Sequence, residues 1–224
     1  MKKLIVLSGL LVSQFFFAQD VTKDLSAFTE VKIYDKISAE LVRSDQNKIE
    51  IYGSRSSEVE ILQKNDELKV RMPLTQALKG ENIKVKIYYK GILEDIEAFE
   101  GSFITSNQPL TSSDLEITAK EGAEIRFEIQ SEDIEVTVST GATIYLSGTV
   151  SGTLEVDIKA GGILEAQKLK ARKAKVSINA GGSADIYASD FVKAQTRAGG
   201  TINIYGKPSK IDQKTFAGGS INQK

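Results

Sequence analysis

Glycine recurs at a near-constant interval through the second half of the 224-residue chain. The leading glycine of each repeated turn is separated from the next by 18 to 20 residues. A fixed period in this range is typical of architectures in which one structural unit stacks on the next. The leading glycines are Gly122, Gly141, Gly161, Gly181, Gly199 and Gly218. In the last four turns a second glycine follows directly, at Gly162, Gly182, Gly200 and Gly219.

Apolar residues occupy the same offset from the glycine in every repeat. Three places after the leading glycine the chain has Ile125, Ile144, Leu164, Ala184, Ile202 and Ile221. On both sides of the turn apolar and polar residues alternate, and a period of two indicates β-strands. Each repeat therefore predicts a strand, a glycine turn, a second strand and a polar connection.

We predict an all-β fold in which residues 114–224 form a β-solenoid with about 18–20 residues per coil. Equivalent positions would stack about 4.8 Å apart, the strand spacing within a sheet. The glycines would form a sharp corner at which at least one residue has positive φ. An antiparallel meander with glycine in hairpin turns is the alternative. It is disfavoured because it does not require one inward residue type at the same offset in six copies.

The first half of the chain alternates less regularly. Residues 25–100 contain short apolar–polar runs separated by polar breaks. We predict hairpins or imperfect coils that cover one end of the solenoid, because an uncovered edge invites aggregation. Residues 101–114 are predicted to be a connecting loop, and residues 20–224 to form a single domain.

The amino-terminal segment has the pattern of an export signal. Lys2 and Lys3 precede an apolar run over residues 4–12, which is shorter than the about 20 residues of a membrane-spanning helix. We predict a signal peptide over residues 1–19, export to the periplasm, the outer surface or the medium, and no transmembrane span in the mature chain. The absence of cysteine excludes a lipoprotein.

Composition excludes several classes of chemistry. The chain has no histidine, cysteine or tryptophan, which removes Ser-His-Asp and Cys-His catalysis, zinc sites made of these ligands, and disulfides. The formal net charge of −1 gives no indication of nucleic-acid binding. No phosphate loop or dinucleotide fingerprint is present, so we predict no cofactor and no catalytic residues.

Charged residues recur six places before each leading glycine, at Glu116, Glu135, Glu155, Lys175, Lys193 and Asp212. The three stacked glutamates would repel one another. The preferred interpretation is that solvent and the flanking Lys120 and Lys159 screen this column, or that its register drifts. A calcium ion is the alternative, and no metal site is assigned. Carboxylate pairs keep polysaccharide hydrolysis or lysis open as an activity. These pairs are Asp114 with Glu116, Glu132 with Asp133, and Glu155 with Asp157.

Tyrosines form the candidate ligand contacts. Tyr187 and Tyr205 both lie six places after their leading glycines, and Tyr145 lies four places after its own. A tyrosine offers an apolar face and a hydroxyl, which suits contact with a sugar or a protein. The alternative is that these rings only cover strand ends. Asp185, Asn203 and Asn222 form a further column in which side-chain hydrogen bonds are expected.

Short motifs across the chain resemble a known family of secreted bacterial proteins. They are the segment from Phe28 to Ile33, Ser38-Ala39-Glu40-Leu41, the segment from Lys48 to Gly53, and the late Ala-Gly-Gly turns. The chain is similar to the putative auto-transporter adhesin, head GIN domain family from about Leu25 onward. The resemblance implies a right-handed β-helix and brings no catalytic residues.

The combined expectation is an exported, non-enzymatic binding or structural module with an adhesin-like role. A surface glycan or a protein would be its partner. A polysaccharide-binding or polysaccharide-degrading β-helical protein is the first alternative, and a periplasmic scaffold for another protein is the second.

Overall fold

The computed structural model describes residues 21–224, so the predicted signal peptide lies outside the described residues. Strands make up 65% of the described residues, and none of these residues is in an α-helix. Two single-turn 3-10 helices occur, at Ser56–Glu58 and Leu74–Gln76. No helix in this part of the chain has the length and apolar character needed to cross a membrane.

Seventeen strands follow one another along residues 21–224. They are β1 (Val21–Asp24), β2 (Glu30–Ile33), β3 (Ser38–Arg43), β4 (Lys48–Tyr52), β5 (Glu60–Lys64), β6 (Glu67–Arg71), β7 (Lys84–Tyr89), β8 (Asp95–Ala98), β9 (Phe103–Ser106), β10 (Leu110–Ala119), β11 (Glu124–Val138), β12 (Thr143–Lys159), β13 (Ile163–Asn179), β14 (Ser183–Arg197), β15 (Thr201–Tyr205), β16 (Lys210–Phe216) and β17 (Ser220–Gln223).

The carboxy-terminal strands stack as coils of a solenoid. Each strand from β10 to β14 pairs in parallel with the next strand. The register shifts within the pairings of β11 with β12, β12 with β13 and β13 with β14. Ile144 lies opposite Leu164, which lies opposite Ala184. Parallel pairing in this register confirms the solenoid and contradicts the antiparallel meander.

Each corner contains two consecutive residues in the left-handed region. Ala160 has φ of 46° and Gly161 has φ of 78°, the pattern of a tight turn with positive φ at both central positions. The next glycine of such a corner has a different role. A Cβ atom on Gly182 would lie 2.4 Å from the carbonyl oxygen of Gly162 in the neighbouring coil. The leading glycine therefore serves the turn. The second glycine permits close stacking, and at Gly182 it also provides a φ of 108°.

The same corner also occurs before the repeated region. Asp35 and Lys36 have φ of 60° and 63°, and Glu100 and Gly101 have φ of 55° and 72°. β2 and β3 flank the first of these corners, and β8 and β9 flank the second. The prediction of a loop over residues 101–114 is wrong, because this segment contains β9 and the start of β10. Regular stacking thus begins before the glycine repeat becomes visible.

The remaining amino-terminal strands close one end of the solenoid. β6 and β7 pair in parallel with β2 and β3, and they form a coil that precedes the first coil in space although it follows it in sequence. β4 pairs antiparallel with β1 and β7, and β5 pairs antiparallel with β6. This arrangement confirms that the less regular strands cover one end.

A buried carboxylate binds the backbone of the loop between β6 and β7. Asp35 is 4% exposed, and its two oxygens accept hydrogen bonds from the backbone N–H groups of Met72 at 2.9 Å and Leu78 at 2.8 Å. These bonds satisfy the charge that burial would otherwise penalise. The core continues from Phe28 to Ile204, with Ile211 and Ile221 partly buried in the last coil.

Candidate binding surface

Two outer faces lie on either side of the corner. The post-corner face consists of the outward residues two, four and six places after the leading glycine, for example Thr143, Tyr145 and Ser147. The pre-corner face consists of those two, four and six places before it. Neighbouring coils pair in register on the pre-corner face and at offsets two and four of the post-corner face, so these offsets form columns of side chains along the solenoid. At offset six the register shifts where β13 pairs with β12 and β14.

Tyr187 and Tyr205 are direct neighbours on the post-corner face. They are register partners on β14 and β15, and both are partly exposed. The Tyr205 hydroxyl donates a hydrogen bond to Asp185 Oδ2 at 3.4 Å, and the negative charge of Asp185 raises the pKa of Tyr205. The structure therefore brings together two of the three tyrosines singled out in the sequence.

A ladder of polar side chains holds the adjacent column. Asn203 Nδ2 donates to Asp185 Oδ1 at 2.7 Å, and Asn222 Nδ2 donates to Asn203 Oδ1 at 3.1 Å. These bonds confirm the expected sharing of hydrogen bonds along Asp185, Asn203 and Asn222. They order the surface beside the tyrosine pair.

Tyr145 lies apart from the other two tyrosines. Its column contains Arg126, Glu165 and Asp185, so it is two coils and two residues away from Tyr187. This offset corresponds to about 12 Å from the strand spacing and the rise per residue. The Arg126 guanidinium carbon lies 4.3 Å from the centroid of the Tyr145 ring, a cation–π contact.

An open groove of about 360 Å³ surrounds Tyr145. Its far wall contains Gln167, an extra residue of β13: Tyr145 pairs with Glu165, but Ser147 pairs with Lys168. Such a bulge turns a side chain in a direction that regular alternation does not allow. Gln167 Oε1 is inaccessible to solvent and accepts no hydrogen bond from the described residues. The groove is lined by Thr105, Ser106, Arg126, Phe127, Tyr145, Leu146, Ser147, Glu165, Gln167 and Lys168.

Sequence reasoning did not identify Gln167. A bulge appears only when two coils are compared in register, and no local turn residue marks it. The one available signal was a difference in repeat length. Gly161 and Gly181 are 20 residues apart, whereas Gly181 and Gly199 are 18 residues apart.

The pre-corner face is strongly acidic over much of its length. The predicted column from Glu116 through Glu135 and Glu155 to Lys175, Lys193 and Asp212 is present in register. The structure extends it in the other direction by Asp95, Glu30 and Glu67. A groove of about 560 Å³ follows this column past Asp114, Asp133 and Glu135.

Asp95 is the most perturbed acid of this column. Its Oδ1 atom is inaccessible and has no hydrogen-bond partner among the described residues. Burial, together with the negative charges of Glu97 and Glu116, raises the pKa of Asp95 to about 7. The acid is therefore partly protonated near neutral pH, which reduces repulsion along the column.

Basic residues pair with both ends of the acidic column. Lys32 Nζ lies 2.9 Å from Glu67 and 2.8 Å from Glu97, and Lys175 Nζ lies 2.9 Å from Glu155. Within residues 21–224 no group of three or more possible ligands is arranged to hold a metal ion. The column is thus balanced in part by ion pairs with Lys32 and Lys175, whereas Lys159 pairs with Asp157 outside the column.

The candidate carboxylate pairs are partly engaged in other contacts. Asp133 Oδ1 accepts a hydrogen bond from the Thr153 backbone N–H at 2.6 Å, and Asp157 lies 2.7 Å from Lys159 Nζ. Asp114 and Glu116 both line the acidic groove. These side chains contribute to a charged surface on the outside of the coils.

Several solved structures share this fold. A putative adhesin from Bacteroides fragilis NCTC 9343 has a TM-score of 0.83 at 19% identity, over 92% of this chain and 97% of that one. A putative lipid binding protein from Parabacteroides distasonis ATCC 8503 has a TM-score of 0.73 at 18% identity, over 92% and 96%. A putative adhesin from Parabacteroides merdae ATCC 43184 has a TM-score of 0.69 at 20% identity, over 92% and 95%.

No curated relative matches the sequence. A family model does match, and it covers residues 27–208, from just before β2 to the start of the last coil. This range includes the strands from β2 to β15 and the three candidate tyrosines. The chain therefore belongs to the family described as putative auto-transporter adhesin, head GIN domain.

Proposed function

We propose that this protein is an exported, non-enzymatic binding module of the adhesin type, and that it binds an extended surface glycan along the post-corner face. Tyr145, Tyr187 and Tyr205 are the proposed contact residues. The binding region is the part of the post-corner face between the Tyr145 groove and the Tyr187–Tyr205 pair.

The observation that supports this proposal most is the placement of tyrosine rings on neighbouring coils. Most large apolar side chains of the described residues are buried, whereas Tyr187 and Tyr205 are side by side and partly exposed. Ring faces next to hydroxyl and amide groups match the mixed apolar and polar surface of a sugar. The neighbouring Asp185 and Asn203 supply such polar groups.

The groove around Tyr145 adds a second point of contact. Gln167 Oε1 is a buried acceptor with no donor among the described residues, a state that costs free energy unless a ligand or water supplies the hydrogen bond. Gln167 lines the groove, so rotation of its amide group would let a sugar hydroxyl donate to this oxygen. Because this groove lies about 12 Å from Tyr187, one extended chain can contact both places.

The adhesin-type role follows the names given to the family and to its structural neighbours. These names fit a non-enzyme on or outside the cell, and the signal peptide predicted over residues 1–19 fits export. We also propose that residues 20–224 act as one domain, because β8 and β9 pair with strands of both the first coil and the repeated region.

A lipid has less support as the ligand, although one structural neighbour is named a putative lipid binding protein. Both grooves are open and are lined mainly by charged and polar side chains. Such a lining suits a hydrophilic polymer better than an acyl chain.

A glycan array followed by titration with the best-bound polysaccharide tests the proposal. We expect a Tyr187→Ala, Tyr205→Ala double variant to bind about tenfold more weakly, because it loses two ring contacts. A Tyr187→Phe, Tyr205→Phe variant, which keeps the rings, should lose less. Phe216→Ala is the matched control, because Phe216 is an exposed aromatic residue on the pre-corner face.

The proposal fails if the wild type binds no glycan, or if the double variant binds as well as the wild type. A fall in polymer size during incubation would favour the polysaccharide-degrading alternative. Protease accessibility of the protein on intact cells tests its surface location.

A further inference from the structure

Further strands pair with the outermost coil at one end of the solenoid but not at the other. At the amino-terminal end, β4 and β5 pair antiparallel with the outermost coil and close it. At the other end, β16 pairs only with β14 and β17 only with β15. Within residues 21–224 no strand lies on the outer edge of β16 or β17.

The free backbone groups of β16 belong to alternate residues. The Phe216 carbonyl oxygen accepts a hydrogen bond from the Ala198 backbone N–H at 3.2 Å, so the backbone polar groups of Phe216 are directed toward the preceding coil. Consecutive residues of a strand direct their backbone N–H and C=O groups to opposite sides. Ile211, Gln213 and Thr215 therefore direct theirs toward the open edge.

This edge is complementary to itself. If two copies of β16 meet antiparallel about a two-fold axis at Gln213, Gln213 pairs with Gln213 of the second copy, and Ile211 pairs with Thr215. All three residues with free backbone groups are then hydrogen-bonded in both copies. No insertion or shift in register is needed.

The charges agree with the same register. It places Asp212 of each copy opposite Lys214 of the other, in non-hydrogen-bonded pairs where side chains approach most closely. Both residues are exposed on the pre-corner face, and Asp212 has no ion-pair partner among the described residues. Opposite charges in facing positions stabilise an antiparallel pair.

We propose that the protein forms a two-fold dimer through antiparallel pairing of β16 with β16 of a second copy. A two-fold interface uses the same surface on both copies and closes on itself. Because each chain contains one β16 and this pairing uses its open edge, a third copy finds no second edge of β16 to bind. The dimer places two post-corner faces in one particle.

Sedimentation equilibrium or light scattering over a range of protein concentrations tests the proposal. We expect a species with twice the mass of the chain. Asp212→Lys places like charges opposite each other twice and should weaken the dimer about tenfold. The double variant Asp212→Lys, Lys214→Asp exchanges the charges and should restore it.

Glu132→Lys is the matched control, because it makes the same charge change on an exposed residue far from the edge. It should dimerise as the wild type does, and thermal unfolding should show that every variant is folded. A wild type that remains monomeric throughout the concentration range overturns the proposal. So does a dimer that is insensitive to Asp212→Lys, or one that the charge exchange does not restore.

Discussion

Replacement of Asp95 by asparagine should stabilise the protein at neutral and alkaline pH. Asp95 lies in the acidic column between Glu30 and Glu116, and its buried Oδ1 atom has no hydrogen-bond partner within residues 21–224. Its pKa is raised from 3.8 to about 7. Because the folded state holds the proton more tightly than the unfolded state, ionisation of Asp95 opposes folding.

The sign of the pH dependence follows from these two pKa values. Below about pH 4 the acid is protonated in both states and has no effect on the free energy of unfolding. As pH rises toward 7 the unfolded state loses its proton first, and the folded protein loses stability. A shift of this size corresponds to about 4 kcal/mol. The carboxyl is only half-buried, so screening by water reduces our expectation to about 2 kcal/mol.

Urea unfolding of the wild type and Asp95→Asn at about pH 4 and about pH 8 measures this effect. We expect the variant to be more stable by about 2 kcal/mol at the higher pH and nearly equal at the lower pH. Asp114→Asn is the control with the same chemical change on an exposed residue, and it should shift stability much less. A wild type as stable as Asp95→Asn at about pH 8 would refute the reasoning.

Two further predictions concern the corners and the cap. Gly162→Ala should destabilise the protein by about 3 kcal/mol, because its Cβ would meet the carbonyl oxygen of Val138 in the neighbouring coil. Gly161→Ala faces open space and should cost about 1 kcal/mol for its positive φ. Equal costs in chemical denaturation would contradict the stacking argument. Glu50 accepts hydrogen bonds from Lys48 and two tyrosines, which lower its pKa to about 2. Glu50→Gln should therefore lower the melting temperature at neutral pH, with a difference that shrinks as pH falls from about 4.5 toward 2; a difference independent of pH would exclude this charge effect.

The repeated half could be predicted in detail because each coil carries the same local information. A glycine at the corner and apolar residues three places away define both the turn and the inward face. The register of Ile144, Leu164 and Ala184 then follows, since any shift by one residue would turn apolar side chains outward.

The first half could not be predicted to the same depth because its corners use other residues. Asp35-Lys36 adopts the same backbone conformation as Ala160-Gly161 without glycine, and hydrogen bonds to the Asp35 carboxylate hold the neighbouring loop. The spatial order of the coils is also hidden. Alternation shows that β6 is a strand, but not that it pairs with β2 across more than thirty residues.

The residues of the candidate surface could be placed from the sequence where they follow the repeat, and could not be placed where they depart from it. Tyr187 and Tyr205 share an offset, so their position as neighbours on adjacent strands could be inferred. Gln167 lies on a bulge, and the Asp95 end of the acidic column belongs to coils whose register was not visible in the sequence.

The spacing of equivalent residues along the solenoid tests the central claim most directly. The chain has no cysteine, so Glu124→Cys and Ser220→Cys can be spin-labelled without background. These positions share one column and are five coils apart. With one strand of this column per repeat, a dipolar distance measurement should give a backbone separation of about 24 Å. An antiparallel meander has two strands per repeat, and a separation near about 48 Å would contradict the stacking of coils.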